Sequence, residues 1–154
     1  MSTRCQIDFV VIDGKFEERR RIYRHSDGYP SGVVPDLQKF ATWLTSGPQA
    51  RSLDDIEYTA ANFIYWSKKE MEKYGEGYVK LGYGVCGIED KDFHTDIEYY
   101  YEVIVNNNND VFTPNKEAIV KIYETNGNQT KTKFKLLKKR KLSKFTERIL
   151  RGLD

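Results

Sequence analysis

Residues 23–30 hold Tyr23, Arg24, His25, Ser26, Asp27, Gly28, Tyr29 and Pro30, the densest mixture of reactive side-chain types in this 154-residue chain. Arg24, or Arg4 from the opening residues, suits an anionic group, since a guanidinium grips carboxylate or phosphate through paired hydrogen bonds. Tyr23 or Tyr29 suits a flat group, and His25 with Asp27 supplies polarity or proton transfer near neutral pH. The competing reading is purely structural: the Asp-Gly pair shapes a turn and His25 hydrogen-bonds locally.

The two histidines each open a His-x-Asp triplet, His25-Ser26-Asp27 and His94-Thr95-Asp96. Residues i and i+2 of a strand share a face, so two such pairs that met would offer a mixed nitrogen and oxygen site for a divalent metal. His25, Asp27, His94 and Asp96 are the ligands that this reading requires. Chance recurrence of Asp is the simpler account of the second triplet, because the acidic stretch 90–98 fits a solvated strand face. Arg24-His25 is also similar to the Arg-His-Gly of histidine phosphatases, but Ser26 stands where the glycine would be and the chain lacks the alternating strands and helices of that sheet.

Positioning these residues requires a scaffold of modest size. A chain of 154 residues accommodates one core. With 11 Tyr, 8 Phe and 2 Trp, much of its buried area must come from rings. No apolar run approaches the roughly 20 residues of a membrane span, and the first ten residues lack the layout of a secretory signal, so a soluble, cytoplasmic protein without membrane partners is expected. Cys5 and Cys86 lack metal-ligand spacing and read as small buried hydrophobes.

Periodicity predicts an α+β fold: a mainly antiparallel sheet with an N-terminal β-hairpin, two helices packed on it, and a basic C-terminal helix. Residues 5–12 and 15–24 pair across an Asp13-Gly14 turn, which sets Asp8 opposite Arg19, Arg4 opposite Tyr23 and Ser2 opposite His25. Helices are expected over 36–44 and from Asp54 or Asp55 through Tyr74, then a glycine-interrupted strand over 78–88. In the 92–105 alternation, Phe93, Ile97, Tyr99, Tyr101, Val103 and Val105 share the dry face, and His94, Asp96, Glu98, Tyr100 and Glu102 the wet one. A polar connection over 106–110, a strand over 118–124 and an Asn126-Gly127-Asn128 turn follow.

The net charge of +2 conceals an asymmetry, for residues 131–154 carry ten basic side chains against Glu147 and Asp154. Residues 1–130 therefore read as the single α+β domain. Residues 131–154 read as a basic tail whose Leu142, Phe145, Ile149 and Leu153 recur at helical spacing. Such a tail packs on the acidic body, or contacts nucleic-acid phosphates through the stretch from Lys131 to Arg151; packing is the favoured expectation.

Met1 to Arg4, Ile22, Tyr23, His25, Asp27 to Pro30, Gly32, Val33 and Leu37 together resemble a family of small proteins from phages, prophages and prokaryotic genomes, marked by an MSTR start and an H-x-D-G-Y-P motif. The family pattern usually has Trp where this chain has Ser26, and often Cys at Arg24. The resemblance covers about the first quarter of the chain. It implies a site at the motif, and a host cytoplasm if the chain is phage-encoded, but no particular reaction.

Three functions follow from these residues. The leading expectation is a non-catalytic protein that binds a small anionic ligand, a nucleotide or another phosphate-bearing molecule, through Arg4, Tyr23, Arg24, His25, Asp27 and Tyr29. The alternative is a metal-dependent hydrolase or phosphoesterase, with His25 and Asp27 as catalytic candidates and His94 and Asp96 completing a metal site. The third is a protein or nucleic-acid interaction module acting through the basic tail. A homo-oligomer with a shared site fits each of them.

Overall fold

β1 (Cys5–Asp13) and β2 (Phe16–Arg24) form the N-terminal hairpin in the computed structural model, which describes residues 2–107 and 117–154. The loop is Gly14-Lys15 rather than Asp13-Gly14, with Gly14 at φ 58°, the first-position glycine of a type II′ connection. Asp8 accordingly faces Arg21 and Cys5 faces Arg24, which corrects the pairings expected for Asp8, Arg4 and Ser2. The register moves by two residues, so every side chain keeps its predicted face.

α1 (Pro30–Leu44) begins six residues before the expected start, because Pro30 at the first helical position needs no partner for a missing N–H. α2 (Ile56–Met71) follows, tightens into one 3₁₀ turn at Glu72–Tyr74, and leads to α3 (Glu76–Leu81). β3 (Tyr83–Cys86) is all that remains of the strand expected over 78–88. β4 (Tyr99–Asn106), β5 (Ile119–Glu124), β6 (Lys135–Lys141) and α4 (Glu147–Arg151) complete the chain. The expected polar connection lies outside the described residues beyond Asn107. The turn at Asn126-Gly127 forms as expected, with both residues at positive φ.

The six strands lie in the order β3-β2-β1-β4-β5-β6, antiparallel except for β1 beside β4. That parallel pair needs a long crossover, which the excursion through α1 and α2 supplies. The fold is therefore α+β with a mostly antiparallel sheet.

Helices cover one face. Cys5, Ile7, Phe9, Ile22, Tyr101 and Val120 pack beneath Val33, Leu37, Phe40 and Phe63. Phe9, Phe40 and Phe63 meet edge to face or tilted at 5.1–6.3 Å between ring centroids. Truncating any one of these buried rings to alanine costs about 3–5 kcal/mol.

The opposite face departs from the alternation expected for 92–105. Tyr99, Tyr101, Val103 and Val105 do face the helices, but Phe93 and Ile97 precede β4 and fold over the other face, where they cluster with Tyr100 and Phe134. Tyr100 and Glu102 are consequently buried rather than wet. The basic segment is also corrected: residues 135–141 pair with β5 as an edge strand, and the only α-helix there is α4. The hydrogen-bond partners that β5's open edge supplies outweigh helical spacing over those residues. Leu142, Phe145 and Leu150 join the core. Among the described residues no helix is long and apolar enough to cross a membrane.

Candidate functional site

β2 alternates through the heart of the motif, and alternation divides the candidate residues between the two faces of the sheet. Tyr23 points to the face without helices; Arg24 points beneath them. His25 leaves the strand, its backbone N–H bonding the Gly82 carbonyl at 3.0 Å. Asp27 then adopts φ 54°, and Gly28 passes so close to β1 that a Cβ would lie 2.8 Å from the Arg4 carbonyl carbon and 2.9 Å from the Cys5 nitrogen. The Gly28 N–H bonds the Thr3 carbonyl at 2.9 Å, and the Tyr101 hydroxyl donates to the Gly28 carbonyl at 2.7 Å. The Asp-Gly-Tyr-Pro sequence is thus what carries the chain from strand to helix.

On the face without helices, the Tyr23 hydroxyl lies 2.9 Å from His25 Nδ1, and the His94 ring stacks on Tyr23 at 4.5 Å between centroids. Arg4 pairs with Asp96 beside them. Arg4, Tyr23, His25, His94 and Asp96 therefore do meet. Asp27 does not join them: it accepts from the Tyr29 hydroxyl at 3.2 Å on the far side of the loop. The predicted four-residue metal set is not assembled, because neither triplet lies on a strand. β2 ends at Arg24, and β4 begins only at Tyr99. Among the described residues no group of three or more His, Cys, Asp or Glu side chains is placed to hold a metal ion.

Farther along the same face lies a buried ionic network that the sequence reading did not anticipate. Asp8 accepts two bonds from Arg21, at 2.7 and 3.1 Å, one from the Tyr100 hydroxyl at 2.6 Å, and one from Arg19 at 3.0 Å. Glu102 accepts from Lys131 at 2.7 Å and Tyr123 at 2.8 Å, and pairs with Arg19 at 2.7 Å. Burial alone pushes the Glu102 carboxyl upward, but the bonds from Lys131 and Arg19 outweigh it and hold the group below its ordinary value. Burial, reinforced by the Asp8 and Glu102 charges, raises the Tyr100 hydroxyl, which stays protonated and donates. Every polar end is satisfied, so the network acts as a structural clamp across β1, β2 and β4.

Beneath the helices the motif lines a cavity of about 310 Å³ between the β2–α1 loop and the C-terminal half of α2. Arg24 forms part of its wall and is only 6% exposed; its Nε bonds the Ser26 carbonyl at 2.8 Å, and its Nη1 bonds Asp36 at 2.8 Å. Burial disfavours the Arg24 charge, but Tyr83 and Asp36 more than compensate, so the guanidinium stays protonated. Lys39 and Lys73 add two further cations to the wall, and Asp27, Asp36 and Glu70 three carboxylates. Trp66, Tyr74 and Tyr83 supply rings, and the Ser67 side chain is buried in the wall next to Tyr83. The cavity's volume, and a predominantly charged wall interrupted by three rings, suit a small polar ligand. A second cavity of about 510 Å³, bordered by Ala41, Leu53 and Leu142, contains none of the motif residues.

Of the predicted site residues, Arg24 and Asp27 line the smaller cavity and Tyr29 reaches it only through Asp27. Arg4, Tyr23 and His25 stand across the sheet. The sequence reading missed Lys39, Trp66, Ser67, Glu70 and Lys73. The available signal was Ser67, four residues after Phe63 on the buried stripe of α2, where a polar side chain needs a reason. Cys5 is no nucleophile, since burial pushes its thiol up to about 12.

No protein-family model matches the chain, no curated protein matches it, and no solved structure matches its fold.

Proposed function

We propose that the protein binds a small phosphate-bearing ligand of nucleotide size, without catalysis, in the cavity behind the H-x-D-G-Y-P loop. The observation that carries this reading is the buried, permanently charged Arg24 in the wall of a 310 Å³ cavity, with Lys39 and Lys73 beside it. An anionic group would sit against those three cations. A base would lie on Trp66 or Tyr74, and sugar hydroxyls would donate to Asp27 or Glu70. The three carboxylates balance the three cations, which favours a ligand with hydroxyl or amino donors as well as its phosphate over a bare anion.

Thermal-shift measurements with adenosine, guanosine, cytidine and uridine mono- and triphosphates test this directly. At least one should raise the melting temperature, and Lys39→Glu with Lys73→Glu should abolish the rise. Absence of any shift at millimolar concentrations of all eight would refute the reading.

A further inference from the structure

The two edges of the sheet are built on opposite plans. β6 presents Lys135, Lys138, Lys139, Arg140 and Lys141, the charged edge that keeps strands of other molecules away. β3, at the other edge, is Tyr83-Gly84-Val85-Cys86, with no charge. Its Val85 is 78% exposed, and Leu81 and Ile88, on either side of the strand, are also exposed.

The hydrogen-bond phase of β3 fixes what the edge can accept. Gly82 accepts from the His25 N–H, and Gly84 and Cys86 lie opposite Tyr23 and Arg21. In an antiparallel ladder alternate residues bond the same neighbour, so Gly82, Gly84 and Cys86 face β2, while the N–H and C=O groups of Tyr83 and Val85 point outward. These outward residues are symmetric about Gly84, and the space where a Gly84 Cβ would stand is empty.

We propose that β3 is a self-pairing edge: a second copy of this chain docks antiparallel on it about a two-fold axis through Gly84. Tyr83 of each copy then lies opposite Val85 of the other and exchanges both backbone bonds with it. Val85 is covered by the facing Tyr83, and two six-stranded sheets become one. Charge agrees with this arrangement. Lys80, which also pairs with Glu76, precedes the strand, whereas Glu89, which also pairs with Lys91, and Asp90 follow it, and antiparallel pairing brings Lys80 of each copy towards Glu89 and Asp90 of the other. The cavity wall includes Gly82 and Tyr83, so the interface would run beside the proposed ligand site of each copy.

Sedimentation equilibrium of the full chain and a cysteine scan test the proposal together. The wild type should dimerise, and Val85→Lys, with an unchanged circular dichroism spectrum, should weaken association at least about tenfold. In a Cys86→Ser background, Gly84→Cys should form an intermolecular disulfide under mild oxidation, since facing residues of a non-hydrogen-bonded pair lie about 4.5 Å apart, within disulfide reach. Val85→Cys, offset from its own copy, should not. A monomeric wild type, a dimer indifferent to Val85→Lys, or cross-linking at position 85 as readily as at 84 would each overturn it.

Discussion

Arg24 and Asp36 form an ion pair of 2.8 Å at the wall of the cavity, joining the last residue of β2 to the second turn of α1. The pair fixes the guanidinium through one of its nitrogens while Nε is taken up by the Ser26 carbonyl. Arg24 is thereby held in position before any ligand arrives, the condition under which a binding site loses least entropy on association.

Lys39 and Lys73 are exposed and bear on the cavity without holding up the fold. Replacing both by glutamate should change stability by no more than about 0.5 kcal/mol in urea unfolding. The same change should lower affinity for the best nucleotide at least about tenfold in titration calorimetry.

Asp27 sits at φ 54°, a conformation that costs a non-glycine residue roughly 1 kcal/mol. Asp27→Gly should therefore raise stability, or leave it unchanged where the lost bond from Tyr29 offsets the relief. The variant should nevertheless bind nucleotide more weakly, because a cavity carboxylate is gone. Gain of stability with full affinity would assign Asp27 to the turn alone.

The clamp on the far face gives a single-residue effect as large as truncation of a core ring. Asp8 is fully buried and accepts from Arg19, Arg21 and Tyr100, so Asp8→Ala strands charged and polar donors. A loss of about 3–5 kcal/mol in urea unfolding is expected. Nucleotide affinity, measured where the variant remains folded, should not follow it.

Glu102 sets the acid limit. Its folded pKa lies below the ordinary 4.5, so its contribution is fully present above that value and disappears as the pH falls through the folded pKa. Chemical-denaturation midpoints should fall progressively below pH about 4.5. Glu102→Gln should be less stable at neutral pH and show a shallower acid slope.

The fold was legible where periodicity had one interpretation. β1, β2 and the helix-facing residues of β4 follow alternation, and Phe63 with Met71 marks the stripe of α2. The rest depended on contacts distant in sequence. Tyr100 and Glu102 look like a wet strand face until Phe93 and Phe134 close over them and Arg19 and Lys131 neutralise the carboxylate. Residues 135–141 look like part of a basic helix because Leu142, Phe145 and Ile149 continue with helical spacing, whereas β5 supplies hydrogen-bond partners that no local pattern announces. The motif was visible in the sequence, but its division between two faces was not used: adjacent Tyr23 and Arg24 on one strand cannot serve one site. Gly28 and Pro30 proved to hold the loop's path, and the cavity's other walls came from α1, which begins at Pro30 itself, and from α2, which is distant in sequence from the motif.

Amide chemical-shift mapping during titration with nucleoside monophosphates tests the central claim most directly, since it reports binding and location together. The account predicts saturable shifts concentrated at Ser26, Asp27, Lys39, Ser67 and Glu70, with His94 and Asp96 across the sheet unmoved. Shifts centred on Arg4, His25 and His94, or none at millimolar ligand, would contradict it.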